Sequence, residues 1–337
     1  MSREKLKHLG IELPLLPITA VGSYAKPKEL VQARARFRNG KIDRDELTKY
    51  QREATEMWMG FQNEIGVDVP VDGEMYRGDM VEYFAEEMDG FEIGDWVRSY
   101  GNRYYRKPII TGEIRWRGPI TVDWWTFAQS LTDKPVKGMF TGGYTVMDWS
   151  FNEFYPDRRA TALAIARELR KEAEALIEAG CKIIQVDEPT VSVRADEIEI
   201  AVEAMHVTCD GLDAYFITHA LEYGYPETAF PGVLDLAVDN FDMEFANSDF
   251  KFLQQLRDEG FDKDLSLGVV DVHTHVVESQ DEVEARIRRA VDVLPVETLW
   301  IDPDCGLKTR TVEEAQAKMR VVAEATKRVR AELPSRV

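Results

Sequence analysis

The chain has 337 residues, 44% of them hydrophobic, with 42 Lys and Arg against 61 Asp and Glu for a formal net charge of −19. That apolar fraction excludes a disordered chain, and the acidic balance argues against nucleic acid or an anionic membrane as the main partner, because both select clustered Lys and Arg. No apolar run reaches 18 residues, the N-terminal segment lacks a signal-peptide core, and Cys181, Cys209 and Cys305 form an odd, sparse set, so a soluble cytoplasmic protein with reduced thiols is expected.

In chain order, a short apolar run at Pro17–Ser23 reads as a buried strand and Asp43–Ile65 as a helix, with Leu47, Tyr50, Ala54, Trp58 and Phe61 on one face. A second strand is expected at Val67–Glu74. About sixty residues then intervene, Met75–Pro135, too many for a structureless connection. Within them Trp96–Trp125 alternates aromatic, basic and β-branched residues, which predicts an inserted β-hairpin. Strands follow at Val136–Gly142, Cys181–Glu188, Ala214–His219, Val233–Glu244, Leu265–His273 and Glu297–Cys305. Helical patterns fall at Arg158–Ala179 (with Gly180 as its C-terminal cap), Asp281–Val293 and Val312–Leu333. Eight strands alternating with helices predict an α/β fold of the (β/α)8 TIM-barrel type, one domain over residues 1–337 with an insertion after strand two at approximately 96–125. An open doubly wound sheet is the alternative.

A barrel carries its active site at the C-terminal ends of its strands. Those ends hold Gly22-Ser23, Glu74, Asp187-Glu188, His219, Glu244, Asp271 with His273, and Cys305. His219, Glu244 and Cys305 supply the nitrogen, oxygen and sulfur donors that Zn²⁺ accepts, three ligands leaving the open position of a catalytic site. Each also has a plainer reading. Cys305 suits a buried small apolar site, His219 a hydrogen-bonded structural histidine, and Glu244 a helix cap. Asp187-Glu188-Pro189 suits a helix start.

Several motifs, in order along nearly the whole chain, carry a resemblance. They are AVGS at Ala20–Ser23, VDGE at Val71–Glu74 followed by RGDMVEYF, VRSYGNR at Val97–Arg103, TGGYTVMDWSF at Thr141–Phe151, QVDEP at Gln185–Pro189, and DPDCGLKTR from Asp302. Together they resemble the catalytic C-terminal barrel of cobalamin-independent methionine synthase, in its stand-alone "core" form without the N-terminal barrel of full-length members. The resemblance implies a zinc-dependent thiol methyltransferase, with homocysteine as acceptor and methionine as product. It implies His219, Glu244 and Cys305 as metal ligands, and Val21, Gly22, Ser23, Glu74 and Asp187 as the amino acid site. It further implies His273 and Asp187 as catalytic groups, and Arg103 and Trp149 as donor contacts. The donor is expected to be methyltetrahydrofolate or a methylated corrinoid (methylcobalamin) protein.

The chain departs from the family pattern at three places. Asn102 stands for a usual serine and Gly143 for a usual proline. Leu221 stands where the family's His-x-Cys places a zinc-binding cysteine, and leucine cannot coordinate a metal. Glu222 and His275 are the candidate stand-ins; Cys209, ten residues before His219, is badly placed for that role. Two alternatives accompany the leading reading: a related barrel enzyme alkylating another thiol, of the coenzyme M type, and a zinc-free paralogue with changed or no catalysis. Glu74 and Asp187 favour an ammonium-bearing substrate over a sulfonate thiol.

Overall fold

The computed structural model describes residues 2–98, 104–220 and 229–333. Two compact units interleave along the chain: Met1–Tyr76, Thr126–Lys137 and Asp242–Val337 form one, Arg77–Trp125 and Gly138–Phe241 the other. The strands are β1 (Met88–Arg98), β2 (Tyr104–Trp116), β3 (Gly138–Thr141), β4 (Phe151–Asn152), β5 (Ile183–Asp187), β6 (Tyr215–His219), β7 (Asn240–Met243), β8 (Asp264–Gly268) and β9 (Leu299–Asp302). Helices separate most of them, the α/β alternation expected from the sequence. Among the described residues no helix is long and apolar enough to cross a membrane.

In the first unit, Asp43 starts the helix Arg44–Ile65 by accepting the Glu46 N–H, and Gly66 ends it at φ +82°, a left-handed conformation that glycine adopts without strain. The helix buries Leu47, Ala54, Trp58 and Phe61. Trp58 stacks on Tyr24 at 4.3 Å between ring centroids, and its indole N–H donates to the Ala25 carbonyl. Capping boxes built on Ser279–Glu282 and Thr311–Glu314 start the helices Gln280–Val291 and Val312–Glu332. Strand β8 pairs with β9 in parallel, Leu265 opposite Leu299 through Gly268 opposite Asp302.

The first two expected strands reduce to single bridged residues, Ile18 with Ile301 and Val71 with Lys137. Pro17 and Pro70 explain this locally, since neither brings an N–H to extend a ladder. The segments remain anchored: Thr19 donates its N–H to Ile301 and its hydroxyl to the Val69 carbonyl. Strand β7 is likewise shorter than the expected Val233–Glu244 run, because Gly232–Asp235 forms a 3-10 turn.

In the second unit, β3, β5 and β6 pair in parallel, with Thr141 opposite Asp187 and Gln185 opposite Ile217. Asp157 caps the helix Arg158–Glu178. Strands β1 and β2 form the antiparallel hairpin, and β4 adds in parallel to β2. The hairpin begins at Met88, earlier than its aromatic alternation indicates, and its second strand ends at Trp116; Val122–Gln129 is helical. Register shifts at Asp89/Phe91 and Ile93/Trp96 break the period-two pattern. Gly90 makes the first possible: its φ is +90°, and a Cβ there would lie 2.6 Å from the Glu113 carbonyl oxygen. The hairpin is pinned to its helix by Glu172, fully buried, whose carboxylate accepts from the Trp116 indole, the Ile120 and Thr121 N–H groups and the Thr121 hydroxyl at 2.7–2.9 Å.

Candidate active site

Within the first unit the loops after the expected strands one, two and eight meet. Tyr24 N–H donates to the Gly73 carbonyl, and Leu307 N–H donates to the Ser23 carbonyl at 2.6 Å. Ser23 and Glu74 are thereby buried in adjoining loops, 7% and 6% exposed. A Cβ on Gly306 would stand 2.1 Å from Ser23 Oγ, so the close approach of these loops depends on glycine. Glu74 adopts φ +58°, uncommon for a residue with a side chain, and its N–H is held by Asp72 Oδ1 at 2.7 Å.

Glu244 follows β7 and joins the same unit. His273 Nε2 lies 3.0 Å from Glu244 Oε1, and Asn247 Nδ2 donates to Oε2. The loop carrying His273 is braced from behind. His273 N–H donates to Asp271 Oδ1, Asp271 N–H donates to Glu278 Oε1, and Glu278 Oε2 accepts from Lys318 Nζ at 2.8 Å. Lys318 is completely buried on the last helix and also reaches the Val276 carbonyl. Asp304, next to Cys305, is fully buried, and burial pushes its carboxyl up to about 7 despite three backbone N–H donors.

The second unit holds the other group. Asp187 ends β5, buried, with Gln185 Nε2 donating to its Oδ1 and the buried Arg77 guanidinium 3.7 Å from its Oδ2. His219 ends β6, and its carbonyl accepts the Glu188 N–H. The Glu188 carboxylate accepts the Tyr144 and Thr145 N–H groups and the Thr145 hydroxyl; burial pushes its carboxyl up to about 7. A Cβ on Gly142 would fall 2.1 Å from Glu188 Oε1. Gly143, the departure from the family's proline, packs on helix backbone, 3.0 Å separating its would-be Cβ from the Ala162 carbonyl oxygen. Trp149 is half-buried beside Tyr105, whose hydroxyl donates to its carbonyl.

Arg103, Leu221 and Glu222 lie outside the described residues. His275 is turned to the surface and hydrogen-bonded to Glu314, and Cys209 ends the helix Ile198–Cys209, buried against Met205. The three cysteines are thiols, not disulfides. Among the described residues no group of three or more His, Cys, Asp or Glu side chains is close enough to hold a metal ion. The donor types of His219, Glu244 and Cys305 nevertheless fit zinc, and Asn247 and His273 hold the Glu244 carboxylate as outer partners hold a ligating one.

Reasoning from sequence missed Arg77, Asn247 and the Glu278–Lys318 pair. Arg77 begins the RGDMVEYF segment, with nothing local to tie it to Asp187. Lys318 did leave a signal: a lysine on the apolar stripe Ala315, Met319, Val322 of its helix requires a buried partner.

The family model described as "Cobalamin-independent synthase, Catalytic domain" matches residues 16–328. The chain belongs to that family. It is accordingly a methyltransferase. A methionine synthase of Saccharolobus solfataricus is 39% identical over 96% of this chain and 97% of its own length. A 5-methyltetrahydropteroyltriglutamate–homocysteine methyltransferase of Streptomyces griseus is 38% identical over 99% of this chain, which spans only 44% of that longer relative. Among solved structures, a B12-independent methionine synthase from Shewanella sp. W3-18-1, in complex with selenomethionine, superimposes with a TM-score of 0.84 over 94% of this chain and 98% of its own at 24% identity, showing the same fold.

Proposed function

We propose that this cobalamin-independent synthase transfers a methyl group from a methyltetrahydrofolate to the sulfur of homocysteine, giving methionine, as a single cytoplasmic domain over residues 1–337. The observation that carries the reading is 39% identity to methionine synthases across 97% of their length. The folate donor rests on the name of the longer relatives; no observation favours a corrinoid donor.

The residues divide the work by chemistry. Glu74 and Asp187 offer carboxylates to the substrate ammonium group, and Ser23 with the Val21–Gly22 backbone offers donors to its carboxylate. Arg77 beside Asp187 limits how much charge that carboxylate presents, which suits binding a cation reversibly. His273 takes the proton that the thiol gives up as sulfur bonds to the methyl carbon. The carbon–nitrogen bond of the donor breaks with its electron pair going to nitrogen, which takes up a proton, so that over the cycle the thiol proton is replaced by an N–H on the folate. Trp149 and Arg103 serve the donor. His219, Glu244 and Cys305 would hold zinc, which when bound lowers a thiol's pKa and so supplies thiolate at neutral pH.

The test is methionine formation from homocysteine with methyltetrahydrofolate, as monoglutamate and triglutamate, beside methylcobalamin, with zinc content measured on the same preparation. Methionine from folate with about one zinc per chain supports the reading. Methionine from methylcobalamin alone overturns the donor, and none from any donor overturns the activity.

A further inference from the structure

Asp304 is a buried carboxyl that the proposed chemistry leaves unused. Asp304 Oδ1 accepts the Phe245 and Ala246 N–H groups at 3.0 and 2.9 Å, and Oδ2 accepts the Asn247 N–H at 2.8 Å. Its own N–H donates to the Val270 carbonyl at 3.0 Å. A single buried residue thus joins three loops: the one after β7 that carries Glu244, the one after β8 that carries His273, and the one after β9 that carries Cys305. Space around it is closed, since a Cβ on Gly268 would come 2.3 Å from Asp304 Oδ1.

We infer that Asp304 is the positioning residue of the site, setting Glu244, His273 and Cys305 in register through backbone donors while touching no substrate. The inference rests on the reading given under Proposed function. The two oxygens matter because all three side-chain contacts come from backbone N–H donors, so each oxygen must accept. An asparagine keeps the shape but can accept on one atom; its amide would turn two N–H donors toward the Asn247 N–H or toward the Phe245–Ala246 pair. A glutamate is too long for the space beside Gly268. Glu172, a buried carboxylate in the other unit, accepts two backbone N–H groups, an indole N–H and a hydroxyl, which makes Glu172→Gln the control for loss of a buried carboxylate.

The experiment compares wild type, Asp304→Asn and Glu172→Gln by amide hydrogen exchange, by zinc affinity against a competing chelator, and by kcat and KM for the thiol. Asp304→Asn is expected to speed exchange at Phe245–Asn247 about tenfold or more, and to weaken zinc about 10–100-fold, the range for outer partners of a metal ligand. Its kcat should fall while KM for the thiol moves little. Glu172→Gln should lower Tm without any of these local changes. Equal exchange at Phe245–Asn247 in both variants at matched Tm overturns the positioning role. The exchange readout needs no turnover, so an inactive wild-type enzyme would overturn the methyl-transfer reading and leave the role of Asp304 to be decided separately. If Asp304→Asn does not fold, Asn247→Ala keeps the backbone donors and removes only the side-chain contact to Glu244. Under the inference it leaves exchange at Phe245 and Ala246 as in wild type; faster exchange there overturns it.

Discussion

His273 and Glu244 share a 3.0 Å contact between Nε2 and Oε1 although they lie in loops after different strands. A carboxylate on one ring nitrogen fixes the orientation of the imidazole. His273→Ala is expected to lower kcat about 100-fold, within the range for loss of a positioned proton acceptor, with a smaller effect on KM. His273→Gln restores a hydrogen bond to Glu244 but accepts no proton. Turnover in that variant near wild type would show that the histidine only orients Glu244.

Arg77 and Asp187 are buried together in the second unit. Arg77→Leu leaves the carboxylate without its neighbouring cation and should cost about 3–5 kcal/mol in urea unfolding, as expected for a broken buried pair. Asp187→Asn should raise KM for the amino acid at least tenfold and, by taking this carboxylate from the buried Arg77 guanidinium, also lower stability. The double variant Arg77→Leu/Asp187→Asn should recover part of the lost stability. Strict additivity of the two effects would mean that the residues do not interact energetically.

The brace behind the His273 loop gives a third expectation. Lys318→Met removes the nearer of two cations on Glu278, leaving Arg286 at 3.6 Å, and removes the donor to the Val276 carbonyl. A loss of about 3–5 kcal/mol is expected, together with faster proteolysis of the loop Asp271–Glu278. Adding Glu278→Gln should return some of the stability. If Lys318→Met unfolds no more easily than wild type, the buried pair contributes nothing to holding that loop.

Thiol chemistry provides a pH-dependent check. Burial pushes the Cys181 thiol up to about 12, whereas Cys305 is partly exposed. In native protein at pH 8.5, after chelator treatment, iodoacetamide should label Cys305 and spare Cys181 until denaturant is added. The sign for stability follows from the raised value. The folded state keeps the proton that the unfolded thiol releases near 9, so this contribution is complete below about 9 and fades as pH rises toward 12. The Tm advantage of wild type over Cys181→Ala should therefore shrink between pH 8 and pH 10.5; an advantage that grows with pH contradicts the assignment.

Much of the architecture was legible because its signals are local. The helix Arg44–Ile65 announces itself through apolar spacing, the Asp43 cap and Gly66; β3, β5, β6 and β9 fall within their apolar runs, and β8 starts one residue before its run. The first two strands misled because Pro17 and Pro70 sit inside otherwise convincing β patterns and stop the ladder after one residue. The hairpin start was hidden by bulges that shift which face each side chain takes. Asp187 and His219 end their strands and Glu244 follows its own, as topology led one to expect, while the roles that the motifs suggest for them belong to the proposed function. What no local pattern reveals is which distant partner answers a buried charge. Asp187 was visible and Arg77 was not, because their pairing is made by the fold.

Gly306 has a consequence for how this enzyme can vary. Its Cα sits where any side chain would displace the Ser23 hydroxyl. A library built at position 306 would therefore select against itself under the proposed function: each added carbon pushes away the Ser23 hydroxyl proposed to meet the substrate carboxylate. Altered substrate preference must come from other walls of the site, and a natural sequence bearing alanine there would be expected to recognise its carboxylate, or a different headgroup, by another route.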